Sequence, residues 1–492
     1  MTAPGFAAPT PEQAARLREF FLETGYDEAG LRRSLGSAEP PVPQLRTLPR
    51  FLDLTRETNP FNQLVRWFLL GQPVAAEPAG PVVPGWFLET CLELGLLRIE
   101  GDAYWPNALI FPYGRLLVAS DCYVTQGVAA PYDHVLTINS SARHTLDFTV
   151  RRPSRATLDL GTGCGIQALV AAGHSETVVA TDLNPRATSY AEFNARLNGL
   201  DNVQCLTGDL FEPVKGRRFD LIVCCPPFVL TPSKEFLYRD NDMALDGFCR
   251  HLAREAPRYL NDGGYFQMIV EWVNLEGQTW QERIGEWFEA CPGDVWVLKQ
   301  YSHSPAQYAQ TRVRESSQVS PKHDAETYSE WMDYYRRENV QAVHGGLVTL
   351  RRRSARQWLV MEELNQAAVG PIGDVIEQRF AVRDLLEDPE DDRQLLAMRP
   401  RLLPEVRLEQ DSRPVDGRWQ SLTPCLRLPS GLRPSLGVQP EVADFLVRLD
   451  GTRCLDELIS ELASGLEVDP ERVKAECLGM VRLMLERGFL QL

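Results

Sequence analysis

The sequence predicts an α/β chain whose middle holds a doubly wound sheet of seven strands. An α+β domain precedes the sheet and a small helical module follows it. Three observations carry this expectation. Between Ala156 and about Arg353, β-branched runs alternate with helix-length segments, the pattern of a sheet covered by helices on both faces. The first run leads into glycines at 161, 163 and 165. The length, 492 residues, leaves room for about three domains at roughly 150 residues each.

Composition narrows the function classes. Lys+Arg number 51 against 67 Asp+Glu, a net charge of −16, which argues against a broadly cationic surface but leaves room for a local basic groove. Hydrophobic residues at 44% and charged residues at 24% exclude a disordered or fibrous chain. Eleven cysteines form no CxxC pair and seven histidines form no cluster at zinc spacing, so no metal is expected. An odd cysteine count without a secretion signal reads as reduced thiols. No apolar run reaches the ~18 residues of a membrane span. A soluble, cytoplasmic protein is expected.

The segments divide the chain at 1–125, 126–355, 356–435 and 436–492. In the first, Leu17, Phe20, Phe21 and Leu31 have helical spacing and Pro40–Pro43 breaks it. Phe61–Leu70 and Trp86–Leu97 read as helices, and Asn107–Phe111 and Arg115–Ser120 as short strands. A winged-helix-like module and a generic α+β domain fit equally. Strands of the second segment are expected at Thr157–Leu160, Thr177–Thr181, Asn202–Leu206, Phe219–Cys224, Gly264–Val270, Val295–Leu298 and Leu347–Leu350. Ser302–Gly346 reads as a lid or substrate-side insertion with a helix at Ala325–Arg337. Asp384, Glu387, Asp388, Glu390, Asp391 and Asp392 form an acidic linker of the connecting α/β segment. The last segment shows helices at Glu441–Leu449, Leu455–Leu462 and Pro470–Glu486, with Asp469 as N-cap and Gly488 as stop.

Chemistry concentrates at the strand ends. Asp159-Leu160-Gly161-Thr162-Gly163-Cys164-Gly165 lets the backbone turn tightly beside a ligand. The second strand ends in Asp182-Leu183, where a carboxylate can accept from both hydroxyls of a ribose. The third ends in Asp209-Leu210, where a carboxylate can accept from an adenine amino group, and the fourth in Cys225-Pro226-Pro227-Phe228.

This series resembles the class I S-adenosylmethionine-dependent methyltransferases, and more narrowly the small-domain type. That type includes the ribosomal RNA guanine-N2 and the release-factor glutamine enzymes. The resemblance covers about 126–353 and implies a Rossmann-like methyltransferase sheet with S-adenosylmethionine as cofactor. Position by position, it implies that Asp159, Gly161, Thr162, Gly163 and Gly165 hold the methionine moiety, Asp182 and Leu183 the ribose, and Asp209 and Leu210 the adenine. Cys225, Pro226, Pro227 and Phe228 would present the acceptor nitrogen, whose lone pair is delocalised until its N–H groups are held by an acceptor pair. The chain departs from the family at Cys225, where the family has Asn or Asp and where a thiol is a weak acceptor. Three readings follow: a weaker clamp on an amine or amide, a nucleophilic Cys225, or a cofactor-binding scaffold with lost transfer. The last segment resembles the PqqD-like winged-helix modules, which implies a docked protein partner.

Other candidates stand beside these. Tyr132-Asp133-His134 and Thr137–Ser141 precede the first strand, and His303 and Tyr308 lie in the insertion. Tyr328, Trp331, Tyr334 and Tyr335 share a helix face that either stacks bases or packs a core. Arg351, Arg352, Arg353 and Arg356 make the densest basic patch. The function expected is methyl transfer to an amino or amide nitrogen of nucleic acid, with RNA favoured, or of protein. A local basic mouth beside Cys225–Phe228 is its corollary.

Overall fold

In a computed structural model of the chain, the alternating runs assemble into one sheet of eight strands. The structure describes residues 6–36, 47–76, 81–123, 125–316, 321–354, 357–387, 392–465 and 469–491. The strands are β1 (Ser154–Leu160), β2 (Ser175–Asp182), β3 (Val203–Thr207), β4 (Phe219–Cys224), β5 (Leu260–Leu275), β6 (Gly293–His303), β7 (Val340–Arg352) and β8 (Leu359–Glu363). Their order is β8-β6-β7-β5-β4-β1-β2-β3. Strands β1 to β5 pair in parallel, whereas β7 runs antiparallel to both its neighbours. The seven expected strands are all present, and β8 is an eighth, paired in parallel on the outer edge of β6.

From β1 the chain steps to β2 and β3 on one side, then returns to β4 and β5 on the other. The β1/β4 junction is therefore the switch point where such sheets bind ligands, beyond the carboxyl ends of the strands. Register places Leu160 beside both Thr181 and Cys224, so the loops after β1, β2 and β4 leave the sheet side by side. The interior strands are buried almost continuously at Thr157–Leu160 and Leu221–Cys224, as parallel strands covered on two faces must be.

The helices of this region are α1 (Ser140–Phe148), α2 (Ile166–Ala171), α3 (Pro185–Leu197), α4 (Gly247–Glu255), α5 (Trp280–Gly285), α6 (Pro305–Ser316) and α7 (Pro321–Arg337). Asn184 caps α3 through its side chain, with Pro185 at the first helical position. Helices α6 and α7 fill the expected insertion.

Within the N-terminal region, the helix expected over Trp86–Leu97 ends at Glu93, because Leu97 already begins the strand Leu97–Glu100. The strands Leu109–Tyr113 and Leu116–Ser120 form a hairpin. Its outer strand is closed by side chains of α3. Asn194 and Asn198 each exchange two hydrogen bonds with that strand, Asn194 with the backbone of Ala119 (2.8 and 2.9 Å) and Asn198 with that of Leu117 (3.0 and 2.8 Å). The carboxamides stand in for a neighbouring strand. One hydrophobic core runs from Phe21, Trp67 and Phe87 to Tyr190 and Phe193 of α3.

By internal contacts the chain divides into Met1–Leu146 with Arg152–Glu363, and Asp147–Arg151 with Leu364–Leu492. The second unit holds the helices Pro440–Val447, Leu455–Ser464 and Pro470–Arg487 around their own core. Its last strand, Leu490–Gln491, pairs antiparallel with Arg401–Leu402. Of the acidic linker, Asp388, Glu390 and Asp391 lie outside the described residues, and Asp392 accepts from Arg482 at 2.7 Å.

Candidate active site

The glycine loop is held by the strand beside it. The N–H groups of Gly161 and Thr162 both donate to the Thr181 carbonyl at 2.9 Å. Gly163 N–H donates to Asp182 Oδ2 at 2.9 Å, Asn184 N–H to Asp182 Oδ1 at 2.9 Å, and Gly208 N–H to the Asp182 carbonyl at 3.0 Å. Asp182 thus ties the loops after β1, β2 and β3 together. Burial pushes its carboxyl up, against the backbone N–H donors that lower it. Beside it, Leu183 is exposed, as is Asp209, and Leu210 holds a left-handed backbone (φ 45°).

Asp159 is 1% exposed. Its Oδ2 accepts from the Thr162 hydroxyl (2.6 Å) and from Ala168 N–H (3.0 Å), while Oδ1 has no partner among the described residues. Burial pushes this carboxyl up to about 7, with the charge of Asp182 adding to the rise. The two sides of the glycine loop differ. A Cβ built on Gly161 or Gly163 would meet nothing within 4 Å, whereas one on Gly165 would lie 3.0 Å from Ala191 Cα in α3. The loop is packed behind and open in front. Open backbone, two carboxylates and a buried oxygen without a donor suit a ligand carrying hydroxyls and a cationic end.

After β4, Cys225 is half-buried. Burial pushes its thiol up to about 11, partly offset by the Thr145 hydroxyl. A thiol so held stays protonated near neutrality, which disfavours the nucleophile reading. Pro226 is buried and Pro227 half-buried, and the carbonyl of Pro227 accepts from Asn241 Nδ2 at 3.2 Å. Phe228 is 8% exposed and forms a wall of a pocket of about 250 Å³. Ser140, Ser141, His144, Ile269, Tyr301 and Arg312 are among its other walls. Arg312 lies over the Phe228 ring, 5.8 Å from its centroid, and pairs with the buried Glu271. The expected basic mouth is not what lines this pocket: the charge of Arg312 is met by that of Glu271.

Several other candidates have structural roles. Trp331, Tyr334 and Tyr335 are buried in a core with Tyr308 and Leu230, so the aromatic face of α7 packs rather than stacking bases. Arg351 is buried and donates to Asp294 at 2.5 Å, Arg353 lies 3.6 Å from the same carboxylate, and Arg352 donates to the carbonyls of Pro257 and Leu260. The basic patch holds β7 in place; Arg356 lies outside the described residues. His134 and Asp133 belong to a loop fastened to α3 through Asp121. That carboxylate accepts from Arg186 (2.5 Å), Tyr190 (2.8 Å) and Val135 N–H (2.8 Å). Burial would raise its carboxyl, but the bonds from His134, Val135 and Arg186 hold it below the usual range. No sequence motif marks Asp121 or Glu271, since their partners come from distant segments.

Strand order, switch point and loop chemistry define a nucleoside-binding α/β domain. More particularly, residues 141–291 match the family profile described as methyltransferase small domain, and residues 23–107 match a domain of unknown function (DUF7059). The release factor glutamine methyltransferase of Geobacter sulfurreducens is 38% identical over 127 residues, 23% of this chain and 44% of that protein. The ribosomal protein uL3 glutamine methyltransferase of Bradyrhizobium diazoefficiens is 37% identical over 157 residues, 28% of this chain and 49% of that protein. The chain spans about half the length of these curated relatives. A solved methyltransferase structure from Pyrococcus furiosus aligns with 44% of this chain and 85% of its own, at 18% identity and a TM-score of 0.27. The cofactor of the matched domain is S-adenosylmethionine. Among the described residues, no helix is long and apolar enough to cross a membrane.

Proposed function

We propose that this chain is an S-adenosylmethionine-dependent methyltransferase that acts on an amide nitrogen of a protein, of the kind a glutamine side chain carries. The observation that carries this choice over RNA is the pocket beside Phe228. It is small at about 250 Å³, below the roughly 300 Å³ at which drug-sized ligand sites begin. Its arginine is already paired with Glu271. A flat basic groove for a polynucleotide needs unsatisfied cations. The names of the relatives point the same way, and the net charge of −16 agrees.

In this reading, Asp159, Thr162 and the glycine loop hold the methionine end, Asp182 and Leu183 the ribose, and Asp209 and Leu210 the adenine. The bound cofactor supplies an electrophilic methyl group on a sulfonium sulfur. Phe228 lies against the planar amide, and the Pro-Pro turn offers carbonyl oxygen to its N–H. For residues 436–492 we keep the reading of a winged-helix-like docking module for a protein partner.

The test uses the full chain with tritiated S-adenosylmethionine and, separately, the G. sulfurreducens release factor, uL3 and total ribosomal RNA. Label in a protein glutamine supports the proposal. Label in RNA alone restores the nucleic-acid reading. Cofactor binding with no label in any acceptor favours a scaffold or sensor, the outcome that the departure at Cys225 would explain.

A further inference from the structure

Resting on the amide-transfer reading, we propose that Tyr301 is the side-chain acceptor that orients the substrate N–H, the task the family gives to the residue at position 225. Four features of the fold bear on this role, and the last puts Tyr301 in the wall of the acceptor pocket.

The first is a bulge. The pairing of β6 with β7 shifts between Lys299, which faces Gly346, and Tyr301, which faces Gly345. Gln300 is the extra residue, and its Nε2 lies 2.8 Å from His144 Nε2. Bulges of this kind re-aim the side chain that follows.

The second is the vacancy that receives that side chain. A Cβ on Gly345 would lie 2.0 Å from Tyr301 Cζ and 2.3 Å from its hydroxyl oxygen. The phenol lies across a position that no residue but glycine can occupy without displacing it.

The third is the partner. The Tyr301 hydroxyl donates to Glu271 Oε1 at 2.6 Å, and the same carboxylate accepts from Tyr308 and Arg312. Glu271 is 1% exposed, so the bond lies where low dielectric strengthens it. A phenol that donates to a carboxylate carries more negative charge on its oxygen, and its lone pairs become a better acceptor for an incoming N–H.

The fourth is location. Tyr301 and Phe228 line the same pocket, so an amide lying against the Phe228 ring has an oxygen acceptor in the pocket wall. Burial and the charge of Glu271 push the Tyr301 phenol up, so it keeps the proton that it donates to Glu271. Glu271 lines the same pocket, but its carboxylate already accepts from Tyr301, Tyr308 and Arg312, so it serves as a positioning residue that acts through Tyr301.

The experiment compares wild type, Tyr301→Phe, Gly345→Ala and the double variant Tyr301→Phe/Cys225→Asn. Tritiated S-adenosylmethionine and the G. sulfurreducens release factor serve as substrates. Cofactor affinity is measured separately by calorimetry. Tyr301→Phe is expected to lower kcat/KM for the release factor by about 10- to 100-fold, while cofactor affinity stays within twofold. Gly345→Ala, which keeps the hydroxyl but displaces the ring, is expected to lose a similar factor. Adding Asn at 225 is expected to restore at least tenfold of what Tyr301→Phe loses, a recovery that a merely structural tyrosine would not permit. Wild-type rates in Tyr301→Phe, or a loss that Asn at 225 fails to repair, overturn the proposal. A wild-type chain that binds the cofactor but labels neither the release factor nor uL3 overturns the amide reading, and this proposal with it.

Discussion

Replacing two glycines of one loop by alanine separates ligand binding from folding. Gly161 and Gly165 both hold left-handed backbone, at φ 76° and 90°, so each alanine variant bears about 1–2 kcal/mol of backbone strain. Their surroundings differ. At Gly165 the new methyl would stand 3.0 Å from both Cα and Cβ of Ala191, and forcing α2 from α3 adds about 1–3 kcal/mol. Gly165→Ala is therefore expected to lose about 2–5 kcal/mol in all. Gly161→Ala loses only the strain, because nothing lies within 4 Å of the new methyl. That methyl instead enters the space where the methionine end is proposed to lie. Urea unfolding of the ligand-free chain should show the large shift for Gly165→Ala and a small one for Gly161→Ala. Calorimetric titration with S-adenosylmethionine should show the reverse order, with at least tenfold weaker binding for Gly161→Ala. Wild-type affinity in Gly161→Ala would refute the placement of the cofactor against this loop.

Three further outcomes follow from the electrostatics. The Asp159 carboxyl, pushed up to about 7 from 3.8, is protonated on the acid side of that value, and a cationic ligand favours its ionised form. Cofactor affinity should fall as pH drops below about 7, by up to tenfold per unit, and Asp159→Asn should flatten the slope in calorimetry at pH 6 and 8. Because this folded-state value lies above the unfolded one, the ligand-free fold gains from Asp159 at low pH and loses that gain as pH rises through about 7. The Cys225 thiol, pushed up to about 11, should resist iodoacetamide at pH 8 in intact-mass measurements, and Cys225→Ala should keep most of the transfer rate; rapid alkylation with complete loss would restore the nucleophile. Asp121→Asn weakens a buried pair with Arg186, so the urea midpoint should drop by the equivalent of about 3–5 kcal/mol; an unchanged midpoint would show that the Arg186 pair adds nothing.

The sheet was legible because its signals are local. Each of the seven strands is a β-branched run, and each candidate ligand loop follows one directly. Strand β8 escaped because Leu359–Glu363 is only five residues long, partly buried and ends in two glutamates, so it shows no strand-length apolar or alternating run. The aromatic face of α7 was ambiguous for a different reason: spacing shows that Trp331, Tyr334 and Tyr335 share a side, not what covers it. The Tyr301 site was illegible altogether. It needs a bulge at Gln300, a glycine on the next strand and a carboxylate on a third, and no linear spacing connects them. The basic patch misled because Arg351 and Arg353 find their counter-charge, Asp294, nearly sixty residues away in sequence.

The paired carboxamides of Asn194 and Asn198 bear on how this chain can be divided. The matched family segment, 141–291, looks like a portable module, yet excising it would strip both side chains of the backbone they satisfy. The hairpin, in turn, would expose the bare edge of Leu116–Ser120, a template for aggregation. Within the first unit, the hairpin and α3 therefore complete each other's hydrogen bonding and share one core.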